Sequence, residues 1–135
     1  MRRIDVFFYD LFMDENLLRA MGVAPTNPLA ASVSGFRLRI GKRAALVPDH
    51  AGRVFGLVAS LTHSELEKLY PEPGEWIYRP EAVLTHLSNG EFLAALCFNL
   101  VEPPSIDECD AECATRLRSL AEQLRFPAEY IASIT

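Results

Sequence analysis

The sequence predicts an α+β fold, a small mixed β-barrel of about six or seven strands flanked by two or three helices. Three observations point to it. The chain has 135 residues, half of them hydrophobic, enough for one domain around one core. Extended runs rich in β-branched and aromatic residues fill most of the chain up to residue 100, and a helical pattern takes over after Pro103–Pro104. The helical segments do not alternate regularly with the strands, as a doubly wound parallel sheet would require. Residues 1–135 are therefore expected to form a single domain, with a barrel over 1–101 and a helical C-terminal extension over 102–135.

The chain is organised around its first element. Ile4, Val6, Phe7, Phe8 and Tyr9 form a short apolar run, the mark of a strand covered on both faces. Asp14 is placed to cap a short helix, Glu15 favours its positive end, and Gly22 falls where a C-cap belongs. A strand running through a loop into a helix can present backbone N–H groups to an anion, and it can equally be a plain connection.

The stretch 23–32, VAPTNPLAAS, reads as a connector rich in Pro and small residues. Residues 33–40 alternate apolar and basic side chains, as a half-exposed strand does. Gly41–Lys42 marks a turn. Residues 44–47 form a short apolar strand stopped by Pro48–Asp49, and 53–61 form another, with Gly56 signalling a bulge or a close approach to the backbone. Thr62 and Glu65 make a capping box for a helix whose buried side is Leu66 and Leu69, ended by Pro71. Residues 76–87 and 92–100 pair as strands across the turn Ser88-Asn89-Gly90-Glu91. From 106 to 124 Cys109, Cys113, Leu117, Leu120 and Leu124 recur at helical spacing; Phe126–Pro127 breaks the pattern before a last short helix over 128–134.

The net charge is −5 and the arginines are scattered, which argues against a nucleic-acid or anionic-membrane surface. No apolar run approaches the ~20 residues of a membrane span, and the basic N-terminus lacks a signal-peptide cleavage pattern. Three cysteines, an odd number, favour a reducing cytoplasm. Cys109 and Cys113 would need two further ligands to hold a metal, and His50, His63 and His86 stand far apart, so no metal is expected. Cys97, between Leu96 and Phe98, reads as core. No nucleophile elbow surrounds Ser60 or Ser64, and no glycine-rich phosphate loop is present.

The order of segments is more specific. A strand ends in Tyr9-x-x-x-Met13; then come a helix, GFRLRIGKRAALVPD, GRVFGLVASLTHSELEKLY, an acidic loop and YRPEAV, with Phe126-Pro127-Ala128-Glu129-Tyr130-Ile131 near the end. Over nearly its whole length the chain resembles the gamma-glutamylcyclotransferase-like superfamily. The resemblance implies a small barrel flanked by helices and a reaction without metal or organic cofactor. The α-amine of a γ-glutamyl compound attacks its own γ-carbonyl, releasing 5-oxoproline and an amine. That chemistry needs a carboxylate with a raised pKa to take the ammonium proton. It also needs N–H donors for the developing oxyanion, and a folded glutamyl chain, which can supply up to about 7–11 kcal/mol by pre-organisation.

The resemblance also implies the site. The family's first loop carries Tyr-Gly-Ser-Leu, matched here by Tyr9, Asp10, Leu11 and Phe12. The Tyr is kept, whereas Asp10 puts a negative charge where the substrate's α-carboxylate is expected, and Leu11 replaces a hydroxyl with bulk. The family's catalytic Glu lies in the acidic loop before a Tyr. Here Glu72 is the closest match, about one residue short in spacing, with Glu75 in reserve and Tyr78 as the aromatic that follows. The implied partner is a small γ-glutamyl compound. The alternative is a non-catalytic relative that uses the barrel pocket to bind a small ligand or a protein; the sequence does not fix the oligomeric state.

Overall fold

The structure is a computed structural model that describes residues 3–71, 74, 77–105 and 110–134. Five strands close into a barrel: β1 (Arg3–Phe8), β2 (Thr26–Ile40), β3 (Ala44–Thr62), β4 (Tyr78–Leu87) and β5 (Phe92–Leu100). Their order around the barrel is β1-β3-β2-β4-β5. Every neighbouring pair is antiparallel except β1 and β5, which meet in parallel at Val6 and Leu96 and so close the ring. Four α-helices surround it: α1 (Glu15–Ala20), α2 (His63–Leu69), α3 (Ala111–Gln123) and α4 (Ala128–Ser133), and a 3-10 turn (Leu11–Met13) links β1 to α1.

The α+β barrel class is as expected, and among the described residues the count of strands is corrected from about six or seven to five, that of helices from two or three to four. The strand count falls because β2 and β3 are long. The connector expected before residue 33 is the first part of β2, which starts at Thr26, and Pro48–Asp49 does not end β3. Pro48 pairs with Phe36 just past a register shift between Ser34 and Phe36, so the lost N–H is absorbed at an irregular point of the ladder. Gly56 is the close approach and not a bulge: the Phe8 carbonyl and the Phe7 ring occupy the space a Cβ would take, and β2 pairs with β3 in unbroken register there, Gly56 opposite Ala31.

The local signals act as expected elsewhere. Asp14 accepts a hydrogen bond from the Asn16 amide at 3.0 Å and caps α1. Thr62 and Glu65 form the complete capping box of α2. Gly90 has φ +90° in the β4–β5 turn, where its N–H donates to the Leu87 carbonyl at 3.0 Å. The helical pattern of the sequence runs from 106, and residues 106–109, Cys109 among them, lie outside the described residues; the described helix is bounded by Asp110. Asp110 has extended backbone and accepts from the Cys113 amide, so α3 starts at Ala111. Its buried face, Cys113, Ala114, Leu117 and Ala121, joins the same core as Val6, Phe7, Val54, Val58 and Leu61 of the barrel.

Candidate functional site

A cavity lies at the end of β1. It has a volume of about 410 Å³, and its wall includes Asp10, Leu11 and Phe12 after β1, Arg43 and Ala44 at the β2–β3 turn, Pro71 and Gly74 after α2, Tyr78 at the start of β4, and Arg116 of α3. Five parts of the chain therefore meet there because the barrel's end brings together connections far apart in sequence.

Asp10 is 7% exposed. Its Oδ1 accepts the Phe12 amide at 3.1 Å, and its carbonyl accepts the Met13 amide at 3.0 Å. Asp10 is thus the N-cap of the 3-10 turn. Burial pushes its carboxyl pKa up, and the Phe12 amide and the Arg43 charge pull the other way without cancelling it. Arg43 donates from Nε to the Tyr78 hydroxyl at 2.9 Å. Its guanidinium carbon lies 5.6 Å from the Phe12 ring centroid and 5.7 Å from that of Tyr78, within cation–π range of both. Tyr70 stands behind them, edge-on to Phe12 at 5.5 Å and to Tyr78 at 4.9 Å, and stacked on Phe98 at 4.3 Å. The result is an aromatic wall with a cation set into it.

Comparison with solved structures gives the fold its parallel. A structure titled gamma-glutamyl cyclotransferase superposes with a TM-score of 0.81 at 16% identity, covering 99% of this chain and 89% of that one. An uncharacterized protein from Homo sapiens gives 0.79 at 17% identity, covering 100% and 89%. YkqA from Bacillus subtilis gives 0.81 at 22% identity, covering 98% of this chain and 52% of that one. The chain has the gamma-glutamyl cyclotransferase-like fold. No protein-family model matches the sequence, and neither does any curated protein.

Within this gamma-glutamyl cyclotransferase-like fold, Asp10, Leu11, Phe12 and Tyr78 come together on one cavity. Tyr9 does not line it. Tyr9 is 2% exposed, and its hydroxyl donates to the Phe98 carbonyl at 3.0 Å with Asn99 Oδ1 3.3 Å away. Burial, then the nearby Asp10, hold its pKa well above the ordinary range, so it stays a neutral phenol. Glu72 and Glu75 lie outside the described residues; Pro71 and Gly74, on either side of Glu72 in sequence, line the cavity. The amides of Phe12 and Met13, which the loop was expected to offer a ligand, are already taken by Asp10.

The sequence did not single out Arg43, Lys68 or Arg116 as wall residues. The Gly41–Lys42 turn signal placed Arg43 at a barrel end, and nothing in the sequence said which end carried the cavity. Among the described residues no group of three His, Cys, Asp or Glu side chains is gathered as a metal site would need, and no helix is long and apolar enough to cross a membrane. Cys97 and Cys113 are buried free thiols, both with pKa raised chiefly by burial.

Proposed function

We propose that the protein is a gamma-glutamylcyclotransferase-like enzyme that releases 5-oxoproline from a small γ-glutamyl amine or peptide. One observation carries the proposal. In a fold shared with a gamma-glutamyl cyclotransferase, one cavity is lined both by the Asp10–Phe12 loop and by Pro71, Gly74 and Tyr78, which bracket the acidic loop in sequence.

In this mechanism Glu72, with Glu75 as the reserve, takes a proton from the substrate's α-ammonium. The freed amine attacks the γ-carbonyl, the new C–N bond closes the five-membered ring, and the old amide C–N bond breaks. The departing nitrogen receives that proton back from the carboxyl group, which then takes the second proton of the ring nitrogen and passes it on, so that a neutral lactam and an ammonium leave and the carboxylate is restored. Leu11, Phe12 and Tyr78 supply apolar and aromatic walls that exclude water and keep the glutamyl chain folded on itself.

The test is incubation with γ-glutamyl-alanine and assay of 5-oxoproline. The wild type is expected to form product, and Glu72→Gln to lower the rate by about 10²–10⁴-fold. Equal rates for the two would remove Glu72 from the role and pass it to Glu75→Gln for the same comparison. If no γ-glutamyl compound is turned over, the enzyme proposal fails.

A further inference from the structure

Among the described residues the charged side chains of the cavity wall are mostly basic. Among the described residues its wall carries Lys42, Arg43, Lys68 and Arg116 against the single acid Asp10, in a chain whose net charge is −5. Such a local reversal marks a site for an anion. The usual backbone seat for one is not on offer, because the Phe12 and Met13 amides are spent on Asp10. The anion must be met by a side chain.

Arg43 is the one built for it. Lys68 turns its ammonium to the Gly22 carbonyl at 3.1 Å. Arg43 is instead fixed in plane by three contacts: the Nε bond to the Tyr78 hydroxyl at 2.9 Å and the rings of Phe12 and Tyr78. Burial works against its charge, while Tyr78 and Asp10 outweigh that and keep the cation. Among the described residues no hydrogen bond or ion pair engages Nη1 or Nη2. A half-buried guanidinium already ordered, with its terminal nitrogens unengaged among the described residues, loses little entropy on taking a carboxylate in the two-pronged geometry that lysine cannot offer.

We propose that Arg43 is the carboxylate anchor of this cavity and sets its specificity, holding the α-carboxylate of the glutamyl group so that only ligands with that group free are accepted. The identity of the ligand rests on the proposed cyclotransferase activity; the anion binding does not. Tyr78 is then a positioning residue that orients Arg43.

The test uses two unreactive probes that differ by one carboxylate, 5-oxoproline and 2-pyrrolidinone, titrated into the protein and followed by NMR. The wild type is expected to bind 5-oxoproline at least about tenfold more tightly. Arg43→Gln should abolish that preference, and Arg43→Lys, which keeps the charge without the fork, should retain part of it. The dispersion of each variant's spectrum shows that it is folded. A preference that survives in Arg43→Gln, or a wild type that binds both probes alike or neither, overturns the proposal. Binding of 5-oxoproline without turnover of any γ-glutamyl peptide would sink the enzyme activity and leave the anchor in place.

Discussion

The side-chain amide of Asn99 stands in for a missing strand beside Leu46. Its Nδ2 donates to the Leu46 carbonyl and its Oδ1 accepts the Leu46 N–H, both at 2.9 Å. β1 pairs with β3 only from Leu57 to Thr62, so the earlier half of β3 has an edge that β1 does not cover. Asn99, on β5, satisfies that edge, and the same Oδ1 lies 3.3 Å from the Tyr9 hydroxyl. Asn99→Leu keeps the branched shape and strips both partners from a backbone that is buried at Leu46. Each orphaned group costs about 1–3 kcal/mol. Urea unfolding should show a loss of about 2–4 kcal/mol, and an unchanged midpoint would mean that water replaces the amide there.

Asp10 makes stability depend on pH. Its folded-state pKa is raised above the ordinary value, chiefly by burial. Folding therefore favours the protonated form; its contribution is complete below the ordinary Asp pKa and is lost as pH rises through the folded value. Asp10→Asn keeps an oxygen for the Phe12 amide and removes the charge. It should melt above the wild type at pH 7, and the two melting temperatures should converge as pH falls to the ordinary carboxylate range. Asp10→Ala gives up the cap and should lose about 1 kcal/mol. A constant gap between wild type and Asp10→Asn from pH 4 to pH 8 would refute the assignment.

The capping box of α2 does more than start a helix. Glu65 accepts the Thr62 amide at 2.9 Å through Oε1 and the Ala24 amide at 2.8 Å through Oε2, tying α2 to the segment that leads into β2. Thr62→Ala should cost about 1 kcal/mol. Glu65→Ala should cost more, since it releases two backbone donors from different parts of the chain. Chemical denaturation of both variants gives the order; the reverse order would show that the Ala24 link carries no weight.

Gly56→Ala should be among the most damaging small substitutions in the barrel. The added methyl would meet the Phe8 carbonyl and the Phe7 ring, and the β1–β3 ladder that starts at the next residue, Leu57 opposite Phe8, leaves β1 little room to move away. Overpacking of this kind costs about 1–3 kcal/mol or more. A variant with wild-type stability would show that β1 can shift outward.

Much of the fold was legible because its signals are local. Asp14, the Thr62–Glu65 pair, Asn89–Gly90 and Phe126–Pro127 each act within a few residues, and each marks a boundary that the structure keeps. The continuity of β2 and β3 was not legible, because Pro48 and Gly52 resemble breakers in sequence. Only the pairing explains them: Pro48 sits beside a register shift, and Gly52 leaves room for the Phe36 carbonyl. The candidate site divides in the same way. The loop Asp10–Phe12 follows from the end of an apolar strand, whereas Asp10's capture of the Phe12 amide and Arg43's place between two rings depend on how the barrel closes, which no spacing encodes.

The parallel meeting of Val6 with Leu96 has a consequence for how the molecule is made. As the chain leaves the ribosome, β1 appears first, and β5, the partner for its second edge, emerges after the other strands of the barrel. Until then that edge is a bare template for another copy, which makes the interval before ring closure the moment of greatest risk for aggregation. The same seam joins the two most distant parts of the sheet, so slow unzipping should begin there, with amide hydrogen exchange at Val6 and Leu96 outpacing that in the β2–β3 ladder.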